Sequence, residues 1–225
     1  MKNTQEVFTE VIKQLGEENL EIVKEVLEIS ERVLLARTVG ECLYVYRKTE
    51  SGSEESRQAL EKALSLATTV EECIEIYRIT EKRSEEIQAL EKALSLATTV
   101  EWCIEIYRMT EKGSEENKQA FEKALSLATT IEGCLKIYRM TEWRREEKQA
   151  LEKALSLATT IEGCFKIYTM TERGSEESKQ AIGKALSLAT TFEDYKNIFE
   201  KAKSISDKTT CVTCIRKMVE IIKNS

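Results

Sequence analysis

The segment QALEKALSLATTVEECIEIYRITEK at residues 58–82 returns almost unchanged as QALEKALSLATTVEWCIEIYRMTEK at residues 88–112. Its central string, ALSLATT, begins at Ala63, Ala93, Ala124, Ala154 and Ala185, at spacings that alternate between 30 and 31 residues. A degenerate copy, VLLARTV, lies one period earlier, at residues 33–39. A fixed period of this length is typical of a tandem-repeat architecture. The chain therefore holds six units between roughly residues 17 and 203.

Each unit has the pattern of two helices, A and B. Helix A begins near Ser53, a good N-cap residue that two glutamates follow, and its apolar residues recur at helical spacing. Helix B begins at Thr69, and Glu72 three residues later completes a capping-box pattern. Gly52 or Gly113 is expected to stop helix B in the longer units. The short link between the two helices predicts that A and B of one unit pack as antiparallel neighbours.

One such pair cannot bury its broad apolar faces alone, whereas stacked pairs can. We therefore predict an all-α fold, a right-handed-type α-solenoid of antiparallel helix pairs with about 14 helices. It consists of six 30/31-residue repeats and terminal capping helices. The chain is predicted to be a single elongated domain over residues 1–225, with an N-terminal cap helix in 1–16, the repeats in 17–203 and a C-terminal cap helix in 204–225. The last helix aligns with helix A when Cys214 is placed on Ala181.

This pattern resembles the α-solenoid class that holds tetratricopeptide-like and HEAT-like repeats. The period is shorter than the 34 residues of tetratricopeptide repeats, and their tryptophan, leucine-glycine and proline signature is absent. The resemblance is therefore one of architecture. It implies a binding scaffold.

Composition argues against most enzyme classes. The 225 residues include no His, no Pro and only two Asp, so the commonest general base and zinc ligand are missing. We expect no enzymatic activity, no metal and no cofactor. The sequence contains no visible signal peptide and no apolar run long enough to span a membrane, so we expect a cytoplasmic protein whose seven cysteines are reduced.

Several residue types recur once per unit. The cysteine series should be buried core thiols; its members are Cys42, Cys73, Cys103, Cys134 and Cys164. The tyrosine series from Tyr46 to Tyr168 should stack in the core. The glutamine series from Gln58 to Gln180 predicts a repeated hydrogen bond to a neighbouring loop or to backbone, and the Glu-Lys pairs of helix A predict a solvated face. Cys211 and Cys214 form a lone CxxC, for which packing is favoured over redox or metal chemistry.

Helix B varies from unit to unit along one stripe: the residue before the cysteine, the residue two after it, and the residue six after it. A variable stripe of Trp, Met and Arg has the composition of a recognition surface, and drift on an unused face is the alternative. The candidate partner-binding residues are Arg78, Ile79, Trp102, Glu105, Arg108, Met109, Lys136, Arg139 and Met140.

Three functions remain open at this stage. The first is a non-enzymatic scaffold that binds a protein or peptide along this stripe. The second is an RNA-binding helical-repeat protein, which the arginine series favours and the net charge of −6 opposes. The third is a consensus-like or engineered repeat scaffold without a native ligand. The sequence gives no sign of membrane binding and does not identify an oligomeric state.

Overall fold

The computed structural model describes residues 4–16, 19, 22, 26, 31–34, 36–80, 83–141 and 144–224. All regular secondary structure in these residues is helical, and they contain no strand, as predicted. The helices are α1 (Thr4–Leu15), α2 (Val39–Lys48), α3 (Glu54–Leu66), α4 (Val70–Ile79), α5 (Arg83–Leu96), α6 (Val100–Met109), α7 (Glu115–Leu127), α8 (Ile131–Met140), α9 (Arg144–Leu157), α10 (Ile161–Met170), α11 (Glu176–Leu188), α12 (Phe192–Ser204) and α13 (Lys208–Lys223). Most of helix A of the first unit lies outside the described residues.

The chain divides into two compact units, residues 1–97 and residues 98–225. The first contains α1 to α5 and the second contains α6 to α13. In each compact unit the A helices lie beside one another and, in the second, the B helices do so as well. The second compact unit therefore has an A layer (α7, α9, α11 and α13) and a B layer (α6, α8, α10 and α12).

The predicted helix starts are confirmed. Ser53 and Ser114 are N-caps whose hydroxyl oxygens accept from the backbone N–H three residues later. Thr69 caps α4, and Glu72 completes the capping box by accepting from the Thr69 backbone N–H. These contacts satisfy N–H groups that a helix leaves without an intrahelical acceptor.

The predicted ends of the B helices need correction. In the long units the helix stops at a threonine and not at the glycine: Thr110 is extended, and its hydroxyl donates to the Tyr107 carbonyl over 2.9 Å. Gly113 lies three residues later, with φ of +79°, in the turn that leads into Ser114. The glycine is needed because a side chain disfavours this left-handed backbone conformation.

The two helices that pack most closely are also not the predicted A and B of one unit. Each B helix packs along the A helix of the following unit, as α4 does with α5 and α6 does with α7, whereas A and B of one unit touch much less. The reason lies in the links. In the long units, residues 110–114 allow the chain to reverse through Gly113, whereas the link between α3 and α4 is a short extended segment from Ala67 to Thr69. The short units form the same B-to-A pair without a glycine in the link.

The core is built from small residues on the A helices and from cysteine and isoleucine on the B helices. Ala59, Ala63, Cys73 and Ile76 are fully buried, and the equivalent residues of the other described units are buried too, apart from the half-buried Tyr195 at the cysteine position of the last unit. The cysteine series is therefore confirmed as buried free thiols. Alanine allows close approach of the paired helix, and cysteine acts as a small hydrophobe.

The tyrosine series lies at the edge of this core. Tyr107 and Tyr168 are buried, and their hydroxyls bond to Glu146 and Ser204 over 2.7 Å in each case. The glutamine prediction is wrong for Gln58, which is exposed and donates to Glu54 of its own helix over 3.0 Å.

The lysines of the Glu-Lys pairs do not form a solvated face, contrary to prediction. Their ammonium groups donate to carbonyls at the end of the preceding A helix: Lys62 to Val33 and Leu34, Lys92 to Leu64 and Ser65, and Lys153 to Leu125 and Ser126. Lys184, which follows Gly183 and not a glutamate, donates to Leu155 in the same way. The last carbonyls of a helix lack intrahelical donors, and a cation there also complements the helix dipole. Each lysine therefore joins consecutive A helices within its compact unit.

The helix at residues 208–223 occupies the place of a further A helix. It packs along α12 and beside α11, and Cys214 is fully buried like the alanine with which it aligns. The predicted equivalence of this helix to helix A is confirmed.

Candidate partner-binding groove

A surface groove of about 530 Å³ lies between the B helices α6 and α8 of the second compact unit. It is lined by Glu101, Ile104, Glu105, Arg108, Lys136 and Arg139. The α6 residues stand at positions i, i+3, i+4 and i+7, which is one face of a helix. Four of the sequence-predicted residues, Glu105, Arg108, Lys136 and Arg139, are thus brought together.

Charge pairs join the B helices across this face. Lys136 of α8 binds the carboxylate of Glu101 on α6, and Lys166 of α10 binds Glu132 on α8 over 2.8 Å. The hydrogen bond from Lys136 holds the pKa of Glu101 below its usual value, and Lys166 does the same for Glu132. These ion pairs are exposed, so solvent screening leaves each one only a small part in stability. They do fix the relative positions of the side chains.

The two arginines of the groove differ in their contacts. Arg139 donates from Nη2 to the sulfur of Met170 on α10 over 3.0 Å. Arg108 is exposed and forms no hydrogen bond or ion pair with any residue that the structure describes. Its five N–H donors match the geometry of a carboxylate or phosphate. Ile104 is only 9% exposed and gives the groove an apolar floor.

Trp102 and Met109 lie beside this groove and do not line it. Both are half-buried. Trp102 occupies the third position of α6, where its backbone N–H donates to Thr99, and its indole N–H has no acceptor within the described part of the chain. Met140, a candidate partner-binding residue, is buried at 7% exposure and so does not present its side chain at the surface. Arg78 is exposed and Ile79 half-buried on α4, in the first compact unit.

The first position of the variable stripe has a structural role in three units. Glu41, Glu72 and Asp194 stand there, and each accepts from the backbone N–H of its N-cap threonine. In the middle units the same position holds Trp102, Gly133 and Gly163, and the capping contact from the side chain is lost. A Cβ on Gly163 would lie 2.8 Å from the Ile131 Cδ1 atom. Variation at this position therefore reflects capping and packing as well as surface chemistry.

Sequence reasoning missed Glu101 and Ile104. The signal for Glu101 was present: a glutamate stands two residues before the cysteine in four units, and Lys136 and Lys166 stand two residues after the cysteine in their own units. Opposite charges at these two positions indicate neighbouring B helices that pair side by side. Ile104 was read only as a core residue, because its position is apolar in most units.

Cys211 and Cys214 are three residues apart on α13. Cys214 is fully buried, Cys211 is half-buried, and burial raises the pKa of both thiols. A raised pKa disfavours the thiolate that redox chemistry needs.

The described helices include none with both the length and the apolar content needed to cross a bilayer. Comparison of the chain with protein-family models, with curated proteins and with solved structures finds no match.

Proposed function

We propose that this protein is a non-enzymatic scaffold that binds a peptide segment of a partner protein in the groove between α6 and α8. The observation that carries the proposal is Arg108, an exposed arginine without a partner in the described residues, above the apolar floor that Ile104 provides. A buried apolar contact surrounded by charged hydrogen-bonding groups is the usual composition of a binding hot spot.

The charge of the groove favours a segment that carries a carboxylate. The lining has three cationic side chains and two carboxylates, and one of those carboxylates, Glu101, is already paired with Lys136. A carboxylate of the bound segment would accept two hydrogen bonds from Arg108, and an adjacent apolar side chain would cover Ile104. Trp102, beside the groove, offers a further apolar surface and an indole donor.

RNA is the less favoured ligand. Phosphate backbones bind through many cationic contacts. On this surface, Lys136 and Lys166 are neutralised by Glu101 and Glu132. The chain as a whole carries a net charge of −6.

A displayed library of random peptides of about twelve residues, selected on the purified protein, tests the proposal. We expect enriched peptides to combine an acidic residue with a large apolar one. The affinity of a fluorescein-labelled synthetic copy is then measured by anisotropy. Arg108→Ala should weaken binding by about tenfold or more without changing the melting temperature. Lys118→Ala, an exposed cation on the A-layer helix α7, is the matched control and should leave the affinity unchanged.

Trp102→Ala separates recognition from packing. A loss of affinity at an unchanged melting temperature would place Trp102 in the binding surface. A large drop in melting temperature with the affinity intact would show that it only packs. The proposal fails if Arg108→Ala and Lys118→Ala bind the selected peptide equally well, or if labelled poly(U) RNA binds with strong salt dependence and no peptide is enriched.

A further inference from the structure

The large apolar side chains that the structure exposes are confined to two stretches of the chain. Among the described residues, one group lies in residues 15–44: Leu15, Ile22, Val26, Leu34 and Tyr44. The other group lies in residues 192–222: Phe192, Val212, Ile215, Val219 and Ile222. The described part of residues 45–191 exposes none of this size. Both stretches belong to the first and last parts of the repeat series.

Four of these side chains form a continuous stripe on α13. Val212, Ile215, Val219 and Ile222 follow one another at steps of three, four and three residues, so they share one face of the helix. Their exposed fractions run from 42% to 64%. An apolar face of this length on a soluble helix is normally covered.

The repeat shows what covers this face elsewhere. Ile215 aligns with a position that is buried in every other described A helix: Leu60, Leu90, Phe121, Leu151 and Ile182, at 0% to 4% exposure. In α13 the same position is 46% exposed. Among the described residues this helix packs on α12 and α11, and no described helix covers its apolar stripe. An amphipathic helical segment suits such a stripe, because an apolar helix face packs against another helix.

The N-terminal part of the chain offers exposed apolar side chains for this contact. In the first unit Leu34 is 77% exposed at a position that the other five units fill with serine. Charge is complementary as well: residues 1–31 contain eight glutamates and three lysines, net −5, whereas residues 208–223 contain four basic residues and one glutamate, net +3. Oppositely charged surfaces favour this pairing over that of two identical ends.

We propose that the apolar stripe of α13 binds the N-terminal segment, residues 4–34, of a second copy of this chain. The contact is head to tail, so each copy uses a different surface for each neighbour. Such a heterologous contact leaves a free surface of each kind and allows growth beyond a dimer.

Sedimentation equilibrium or light scattering over about 5 to 200 µM, a range that brackets micromolar dissociation constants, tests this proposal. The mass should rise at least twofold above the 25.7-kDa monomer. Ile215→Glu with Ile222→Glu should stay monomeric, because acidic groups then face the acidic segment. Leu15→Ser with Ile22→Ser should also stay monomeric, because the apolar side chains of the contact are then lost. Circular dichroism establishes that both variants keep their helix content.

Mixing the two variants is the decisive control. Each retains one intact surface, so an equimolar mixture should form a dimer that cannot grow further. Three results would overturn the proposal: a wild-type chain that is monomeric at the highest concentration, a mixture of folded variants that stays monomeric, or an α13 variant that associates like the wild type. Association of the Leu15 and Ile22 variant by itself would overturn it too, because that result indicates a symmetric contact between two α13 helices.

Discussion

The ammonium group of Lys92 lies at the C-terminal end of α3, where it donates to the carbonyls of Leu64 and Ser65. Lys92→Met keeps the aliphatic stem and removes these hydrogen bonds. We expect a loss of about 1–2 kcal/mol in the free energy of unfolding, measured with urea. Lys148→Met is the control, because Lys148 is exposed and only pairs with Glu152 at 3.8 Å; it should cost less than about 0.5 kcal/mol. Equal losses in both variants would refute the capping role.

The thiol of Cys103 is fully buried, and that burial raises its pKa. Alkylation by iodoacetamide requires a thiolate and access to it, so native labelling of Cys103 should be at least about a hundredfold slower than labelling in urea. Cys211, which is half-buried, serves as the internal control and should react faster than Cys103 in the native protein. Rapid native labelling of Cys103 would mean that helix B is placed in the wrong register. Mass spectrometry of tryptic peptides assigns each site.

At this scale the sequence predicted burial better than hydrogen bonding. The cysteine positions follow from the helical period, so Cys73 and Cys103 were assigned correctly. The bonds of Lys62 and Lys92 reach carbonyls about 28 residues earlier in the chain, and no spacing within a single helix reveals such a contact. Glu101 was not predicted as a groove residue for a similar reason. Its partner Lys136 lies on the next B helix, so the contact is not visible within one helix.

Because of the capping box of α4, the stability of the fold should depend on pH. Backbone N–H groups, Thr68 first and then Thr69, donate to Glu72 and hold its pKa below the ordinary value of 4.5. A depressed carboxyl pKa stabilises the fold above the ordinary pKa, and that contribution is lost as the pH falls through the folded-state value. The stability difference between the wild type and Glu72→Gln should therefore be present at pH 7 and shrink below about pH 4.5.

Urea denaturation at a series of pH values measures this difference. Glu71→Gln is the matched control, since the Glu71 carboxylate makes no hydrogen bond within the described residues. The stability difference between the wild type and Glu71→Gln should vary less with pH than the difference for Glu72→Gln. A difference for Glu72→Gln that stays constant from pH 7 to pH 3 would contradict the capping role.

Gly183 in α11 and Gly174 in the turn before it should respond in opposite ways to replacement by alanine. Gly183 lies inside α11, and a Cβ there would meet nothing within 4 Å. Gly183→Ala should therefore raise stability by about 0.5–1 kcal/mol through helix propensity. Gly174 has equal space but a φ of +81°, so Gly174→Ala should lower stability by about 1–2 kcal/mol. Thermal and urea unfolding of both variants provide the comparison, and the same sign in both would contradict it.

Helix starts were predictable because Ser114 and Thr69 act through local bonds to the next turn. The pairing of helices was not predictable from the sequence. Both links of a unit are short, and the sequence does not say which link joins the two helices that pack together. In the long units the conformation of Gly113 and the extended Thr69 distinguish the two links, and both are properties of the folded backbone.

For the whole molecule, the central claim is that helix pairs are interchangeable repeats held mainly by their neighbours. In such an arrangement stability is a sum of terms within repeats and between adjacent repeats. Removal of residues 84–144 takes out one long and one short unit, 61 residues in all, and joins Arg83 to Arg145 in the register of the original helix start. The remaining units should lose only their contacts with the two removed units and should keep all their other contacts.

Circular dichroism of this deletion, with a urea titration, tests the claim most directly. We expect a folded all-helical protein of 164 residues with the same ellipticity per residue as the full chain and a cooperative transition at lower urea concentration. The lower midpoint follows because fewer interfaces contribute. Loss of most of the helical signal, or a transition without cooperativity in dilute buffer, would contradict the repeat architecture.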